Sequence, residues 1–334
     1  MATTSPTPGD TTATMRAVVQ ERYGSADVLG LAHVDRPEPG KSEVLLRVRA
    51  AGLDRGTWHV MTGRPYLGRL AFGLRRPRNP VPGLDVAGTV VATGPEVTRW
   101  VVGDEVFGFG KGTFAEYAVA HEDKLARMPA NLSAEQAAVV PVSASTALQA
   151  CDIGRVGPGQ SVLVTGASGG VGSYAVQLAK ALGAEVTGTS STAKLDLVRS
   201  LGADHVLDYT RDDFADGVHR YDVILDVAGD PTVTRLRRAL TPTGTAVVVG
   251  GEGGGSWTGM GRQLKAVAVS PFVRQRLAIF VAGQRAENLE RLTTLIEAGS
   301  VTPSLGGSYP LERAADAMRE LVAGRVRGKV AITV

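Results

Sequence analysis

One cysteine, Cys151, stands in a chain of 334 residues. A single thiol can form neither an intrachain disulfide nor a cysteine-rich metal site, and such usage fits a reducing, cytoplasmic setting. Neither sign of charge dominates: 36 Lys and Arg meet 33 Asp and Glu, a net of +3, which supplies no basic field for nucleic acid. Charges, Gly or Pro interrupt every apolar run before the eighteen or so residues of a membrane span, so stable membrane insertion is not expected. The first fourteen residues, MATTSPTPGDTTAT, hold no Lys or Arg and no apolar run. They read as a disordered tail (1–14) rather than a secretory signal or transit peptide.

What is present is the material of a large core, since 43% of the residues are hydrophobic and 21% charged. The length suits two domains. From Met15 to about Ala120, short alternating segments such as MRAVVQ, EVLLRVRA and DVAGTVVATG are separated by Gly and Pro turns, a β-rich pattern. From about Glu135 to Gly251 strands and helices alternate, the pattern of a doubly wound parallel sheet, so the fold class is α/β. The segment from Tyr309 to Val334 adds a helix, LERAADAMRELVAG, and a strand, GKVAITV, that is expected to return to the first domain. The glycine patch GGEGGGS at 250–256 reads as a mobile loop after a strand.

The most specific chemical signal is VLVTGASGGVGSYAVQLAKALGAEV, an apolar strand running through a glycine-rich turn into an amphipathic helix. Gly166, Ala167, Ser168, Gly169, Gly170, Val171 and Gly172 form the turn. Its glycines allow tight geometry, let the backbone approach a pyrophosphate, and let helix pack on strand, with the helix N-terminus facing the phosphates. Ala167 stands where the standard fingerprint has its first glycine. The next strand, AEVTGTS, ends in Ser190 and Ser191 where an NAD site would present Asp or Glu to the ribose 2′-hydroxyl. With no carboxylate to repel a 2′-phosphate and with Lys194 just beyond as a cation, NADPH is favoured over NADH. Ser190 and Ser191 can equally cap the helix that follows, and the two roles are compatible.

Six stretches, VPGLDVAGTVVATGPEVTRWVVGDEVFGF (81–109), GTFAEYAV (112–119), TALQA (146–150), VTGASGGVG (164–172), LGADHVLDY (201–209) and GKVAITV (328–334), make the chain resemble the zinc-independent quinone oxidoreductases of the medium-chain dehydrogenase/reductase superfamily. The resemblance runs from Met15 to Val334. It implies a GroES-like β-rich catalytic domain over 15–125 completed by 300–334, a Rossmann domain holding NADPH over 126–299, and an active site in the cleft between them. It further implies Thr146 and Val227 near the nicotinamide and Gly250 and Gly251 beside it at a strand end. Ser190, Lys194 and Tyr209 fall at the 2′-phosphate, Lys329 touches the cofactor, and a homodimer is the usual assembly.

The zinc alcohol dehydrogenases of that superfamily bind catalytic metal through Cys, a His-Glu pair and Cys. The matching positions here are Asp54, Leu84 with Asp85, and Val142, and the four-cysteine structural loop is missing, so no metal is expected. The implied chemistry is hydride transfer to a small, already electrophilic acceptor, a quinone or enone, with protein groups orienting it and handling the developing charge. A zinc-free alcohol dehydrogenase, an enoyl-thioester reductase and a catalytically silent NADPH-binding regulator are the competing readings. The loop GLDRGTWHVMTGRPY (52–66) departs from the family's Asn-Pro start: Asp54 and Arg55 stand there, and His59 replaces a tyrosine. Asp54, Trp58, His59 and Tyr66 are the candidate catalytic set, with Trp58 and Tyr66 as walls for a flat acceptor and His59 as proton donor near neutral pH. Between Tyr66 and Pro82, apolar residues mix with Arg69, Arg75, Arg76 and Arg78, either a lid or a solvated basic face.

Overall fold

The computed structural model describes residues 13–249 and 273–334, together with Gly261 and Ala266. Gly250, Gly251 and the glycine patch lie outside the described residues.

A hairpin of β1 (Thr14–Val19) and β2 (Gly30–Asp35) opens the chain. Thr14 pairs with Asp35, so the strand begins one residue inside the expected tail. Strand β3 (Glu43–Leu53) then leads into α1 (Arg55–Thr62) and the single turn α2 (Arg69–Phe72). Helix α1 starts where Asp54 caps it, its carboxylate accepting from the Thr57 N–H at 2.7 Å, and stops at Gly63, whose φ of 62° closes the last turn. Strands β4 (Asp85–Thr93), β5 (Glu105–Phe109), β6 (Tyr117–His121) and β7 (Leu125–Arg127) complete the β-rich half. Their inward residues, among them Leu46, Val86, Val90, Val106 and Leu125, are buried together.

Two helices, α3 (Ala134–Ala138) behind a Ser133–Gln136 capping box and α4 (Pro141–Gly154) with proline in its first turn, pass to the second half. There β8 (Ser161–Thr165), α5 (Gly170–Ala181), β9 (Glu185–Ser190), α6 (Leu195–Ser200), β10 (His205–Asp208), β11 (Tyr221–Asp226), α7 (Val233–Ala239), β12 (Leu240–Val248) and β13 (Arg276–Ile279) follow. The described strands form a parallel sheet of order β10-β9-β8-β11-β12-β13. Near-continuous burial of VLV in β8 and of VILD in β11 marks a sheet covered on both faces. Strand order reverses between β8 and β11, the place where open α/β sheets leave a crevice for ligands.

After α8 (Ala286–Glu297) the chain leaves this sheet. Strand β14 (Leu305–Pro310), α9 (Ala314–Val322) and β15 (Lys329–Thr333) close the molecule, and β15 lies antiparallel to β3 with Val330 opposite Leu53. The last strand of the sequence is thereby built into the sheet of the first domain. The molecule joins a Rossmann-type parallel sheet to a separate β-rich domain. Among the described residues no helix is long and apolar enough to cross a membrane.

Candidate active site

A cleft of about 350 Å³ lies between the two domains at the sheet's reversal point. Its Rossmann wall is the glycine turn. Gly166 has φ 64°, and a Cβ there would come within 2.6 Å of the Ala228 Cβ; a Cβ on Gly172 would come within 2.1 Å of the Gly166 carbonyl oxygen. Only glycine permits this close folding back of strand end on helix start. Gly169 precedes α5 without a capping side chain, so the first N–H groups of a twelve-residue helix open toward the cleft beside Gly169, Gly170 and Val171. Ala167 and Ser168 are buried beneath them.

Thr146 and Val227 both line the cleft. Thr146 is held by its Oγ1 donating to the Val142 carbonyl at 2.6 Å, and the Val227 N–H donates to Thr165 Oγ1 at 3.0 Å. At the end of β9, Ser190 is buried and its hydroxyl pairs with that of Ser168 at 2.8 Å. Ser191 precedes a single helical turn but makes no side-chain cap. Lys194 lines the cleft, and its ammonium donates to the carbonyls of Gly324 and Val326, each at 2.6 Å, strapping the Rossmann domain to the returning C-terminal segment. Partial burial and the nearby Arg327 guanidinium lower its pKa. Tyr209 stands at the end of β10, 62% exposed, with its N–H on the Ser190 carbonyl.

The floor comes from the other domain. Lys329, at the start of β15, is 2% exposed and reaches Asp85, at the start of β4, with Nζ to Oδ2 at 3.3 Å. Asp85 Oδ1 accepts from the Val142 N–H at 2.9 Å. Burial pushes the Asp85 carboxyl up to about 7, the Lys329 ammonium pulling it down and the Asp54 carboxylate adding repulsion. The lysine stem runs over the glycine turn, since a Cβ on Gly170 would come within 2.9 Å of Lys329 Cδ. Asp54 sits beside this pair with one oxygen capping α1 and the other, Oδ2, buried without a hydrogen-bond partner.

Helix α1 divides the candidate catalytic set. His59 lines the cleft with Asp54, Arg55 and Gly56. Its Nδ1 lies 2.7 Å from the Arg64 carbonyl oxygen. A carbonyl only accepts, so Nδ1 carries the hydrogen and Nε2 is the nitrogen left for proton exchange. Trp58 and Tyr66, expected as walls for an acceptor protonated by His59, line a neighbouring cavity, although the Trp58 ring meets the His59 ring edge-on with 4.9 Å between centroids. The reason is helical geometry: Trp58, Met61 and Thr62 share one face, and Arg55, Gly56 and His59 share another.

Cys151 is buried, and its thiol is pushed up to about 12 by burial, which removes it from nucleophilic chemistry. Among the described residues no group of three or more His, Cys, Asp or Glu is arranged to hold a metal ion. Sequence reasoning did not single out Arg55, Ser143 or Gly324 as cleft residues, nor the bond between Asp85 and Lys329. The one available signal was the position of Arg55 inside the loop whose departure from the family was already evident.

A family profile described as alcohol dehydrogenase GroES-like domain matches residues 40–130, and one described as zinc-binding dehydrogenase matches residues 201–332. Across 95% of its length the chain is 33% identical to the chloroplast envelope quinone oxidoreductase homolog of Arabidopsis thaliana, of which it covers 98%. The chain belongs to the quinone oxidoreductase-like branch of the medium-chain dehydrogenase/reductase superfamily. It is 34% identical, over 95% of its length, to the chloroplastic NADPH-dependent alkenal/one oxidoreductase of Arabidopsis thaliana, covering 79% of that protein. The structure of the quinone oxidoreductase from Coxiella burnetii superimposes with a TM-score of 0.86 at 27% identity, over 96% of this chain and 100% of that one. A member of this branch is an NAD(P)-dependent oxidoreductase acting on small molecules, and the protein is an enzyme of that type.

Proposed function

We propose that this oxidoreductase uses NADPH to reduce a quinone or enone without zinc. The observation that carries the reading is the Asp85–Lys329 pair, which supplies the cleft floor with a resident cation 3.3 Å from a buried carboxylate. A divalent ion beside Asp85 would have to sit against that ammonium. Leu84 and Val142 offer it no donor atom, and one oxygen of Asp54 is already engaged with Thr57. Without a Lewis acid to activate an alcohol, the acceptor must be electrophilic at the outset. The printed names of the two Arabidopsis thaliana relatives, one a quinone and the other an alkenal/one oxidoreductase, agree with that choice of acceptor.

When bound, the cofactor supplies a hydride from its nicotinamide ring. The chain's own residues do the rest. The uncapped start of α5 with Gly169, Gly170 and Val171 fits a pyrophosphate, because unpaired N–H groups and an absent Cβ are what such a group needs. Thr146 and Val227 wall the nicotinamide end. Ser190, Ser191, Lys194 and Tyr209 receive the 2′-phosphate, with Lys194 exchanging its carbonyl partners for the anion. Lys329 adds positive charge beside the turn. Asp54 is a positioning residue that caps α1 and so fixes the turn carrying His59, whose Nε2 delivers a proton to the reduced acceptor. The functional halves are 15–125 with 300–334, and 126–299.

The test is oxidation of NADPH and of NADH with a panel of quinones, enones, aldehydes, alcohol–NADP⁺ pairs and acyl thioesters, before and after prolonged chelation. Quinones and enones should react with NADPH and chelation should leave the rates unchanged. Turnover confined to alcohols or thioesters, or activity lost with a tightly held metal, refutes the proposal.

A further inference from the structure

Beside α1, walled in part by the Trp58 ring that meets His59 edge-on, lies a second cavity of about 700 Å³. We propose that it is a binding site for an amphipathic organic anion, a carboxylate carried on an alkyl or aryl body, separate from the cofactor cleft.

The anchor is Arg69. Its guanidinium lies 4.4 Å from the ring centroid of Tyr23 and 4.7 Å from that of Tyr66, so two aromatic rings hold it. Its Nε donates to the Gly63 carbonyl at 3.0 Å, which fixes the orientation of the fork. Gly63 makes this approach feasible, since a Cβ there would come within 2.7 Å of both Arg69 Nε and the Tyr23 ring. Among the described residues the two terminal nitrogens of Arg69 donate no hydrogen bond and meet no carboxylate. An arginine held in place with its planar fork unsatisfied is preorganised for a bidentate carboxylate, and little side-chain entropy remains to be lost on binding.

The charge around it is uncompensated. No Asp or Glu occurs between residues 55 and 84, a stretch with six arginines. Among the described residues Asp27 is the acidic one in the cavity wall and is already paired with Arg319 at 2.7 Å, and the exposed Arg64 has no charged partner there. The rest of the wall includes the apolar side chains of Trp58, Met61, Val322 and Ala323. Cationic and apolar lining in one cavity, with a volume in the range of small-molecule sites, selects an anion with a greasy body rather than an inorganic ion or a neutral lipid. Among the described residues the cavity shares no lining residue with the cofactor cleft.

Equilibrium titration with the fluorescent anion anilinonaphthalenesulfonate, with and without NADPH, tests this without turnover. The probe should bind saturably at one site per chain, be displaced by decanoate at least about tenfold more effectively than by decanol, and remain bound when NADPH is added. Arg69→Gln should weaken it about tenfold or more, the share of a lost charge-assisted hydrogen bond. Ala323→Trp, a substitution at an exposed position that fills the cavity from α9, should abolish binding while leaving the melting temperature within a few degrees. Displacement by NADPH, equal competition by decanol, or undiminished binding in a folded Arg69→Gln or Ala323→Trp protein overturns the proposal. Should Arg69→Gln fail to fold, Ala323→Trp decides alone.

Discussion

The two walls of the cleft between the domains are made in opposite ways. The glycine turn ahead of α5 is a wall of backbone, assembled from seven consecutive residues whose value lies in missing side chains. The floor opposite is a wall of side chains, Asp54 and Lys329, 275 positions apart and backed by the buried Asp85. A backbone wall tolerates no added atom but carries no charge to be balanced. A side-chain wall carries buried charge, and each member depends on the others being present.

The largest effect should come from breaking the side-chain wall. Lys329→Met leaves Asp85 buried with no cation, and near pH 8 this should cost about 3–5 kcal/mol in denaturant unfolding. The loss should shrink as pH falls and Asp85 takes up a proton. The sign follows from a folded-state carboxyl at about 7 against an ordinary value of 3.8. The folded protein binds that proton more tightly, so the stability it contributes is present at low pH and is lost as pH rises through about 7, at most roughly 1.4 kcal/mol per unit. Asp85→Asn should flatten that slope. A Lys329→Met protein equally stable at pH 8 and pH 5 would show that the two walls do not differ in this way.

The next effect is on rate. His59→Gln removes the one titratable side chain that α1 aims into the cleft with a nitrogen left for proton exchange, and should lower enone kcat by about a hundredfold or more. Quinones, whose reduced oxygens can be protonated by solvent, should lose far less. Steady-state kinetics with matched enone and quinone acceptors provide the check.

A smaller change is expected at the far end of the backbone wall. Ser190→Asp combined with Lys194→Ala should weaken NADPH by about 1.5–3 kcal/mol, the range of hydrogen bonds to a charged group, and leave NADH unchanged or improved. Equal loss for both cofactors in a binding titration would mean that Lys194 acts only as the strap to Gly324 and Val326. The smallest effect belongs to Tyr66→Phe, which should change enone kcat less than twofold because its ring lines the neighbouring cavity rather than the cleft. A drop exceeding that of His59→Gln would make Tyr66 the proton donor.

The turn was legible because it is contiguous and its chemistry is that of glycine itself: positive φ at Gly166 and close approach at Gly172 follow from the residue type. The end of β9 was legible for a similar reason, since the absence of Asp or Glu at Ser190 can be read from a single position. Trp58, His59 and Tyr66 were legible as a loop but not as two sites. Their division depends on where the helix cap falls, at Asp54, and therefore on which face each side chain takes. Arg69 read as one of a run of arginines, and nothing local to it reveals that Tyr23 stacks against it.

The sequence by itself determined the α/β class, the glycine-rich turn ahead of α5, the return of the C-terminal strand and the residue types in the loop 52–66. These follow from local periodicity and from residue types acting within a few positions of one another. Only the tertiary structure decided that Lys329 neutralises Asp85 from 244 residues away, that Lys194 straps the domains together, and that His59 lines one cavity while Trp58 and Tyr66 line another. Burial is the physical reason. A carboxyl's charge, a lysine's partner and a ring's neighbour are fixed by what packs around them, and that shell comes from residues the chain brings together only on folding.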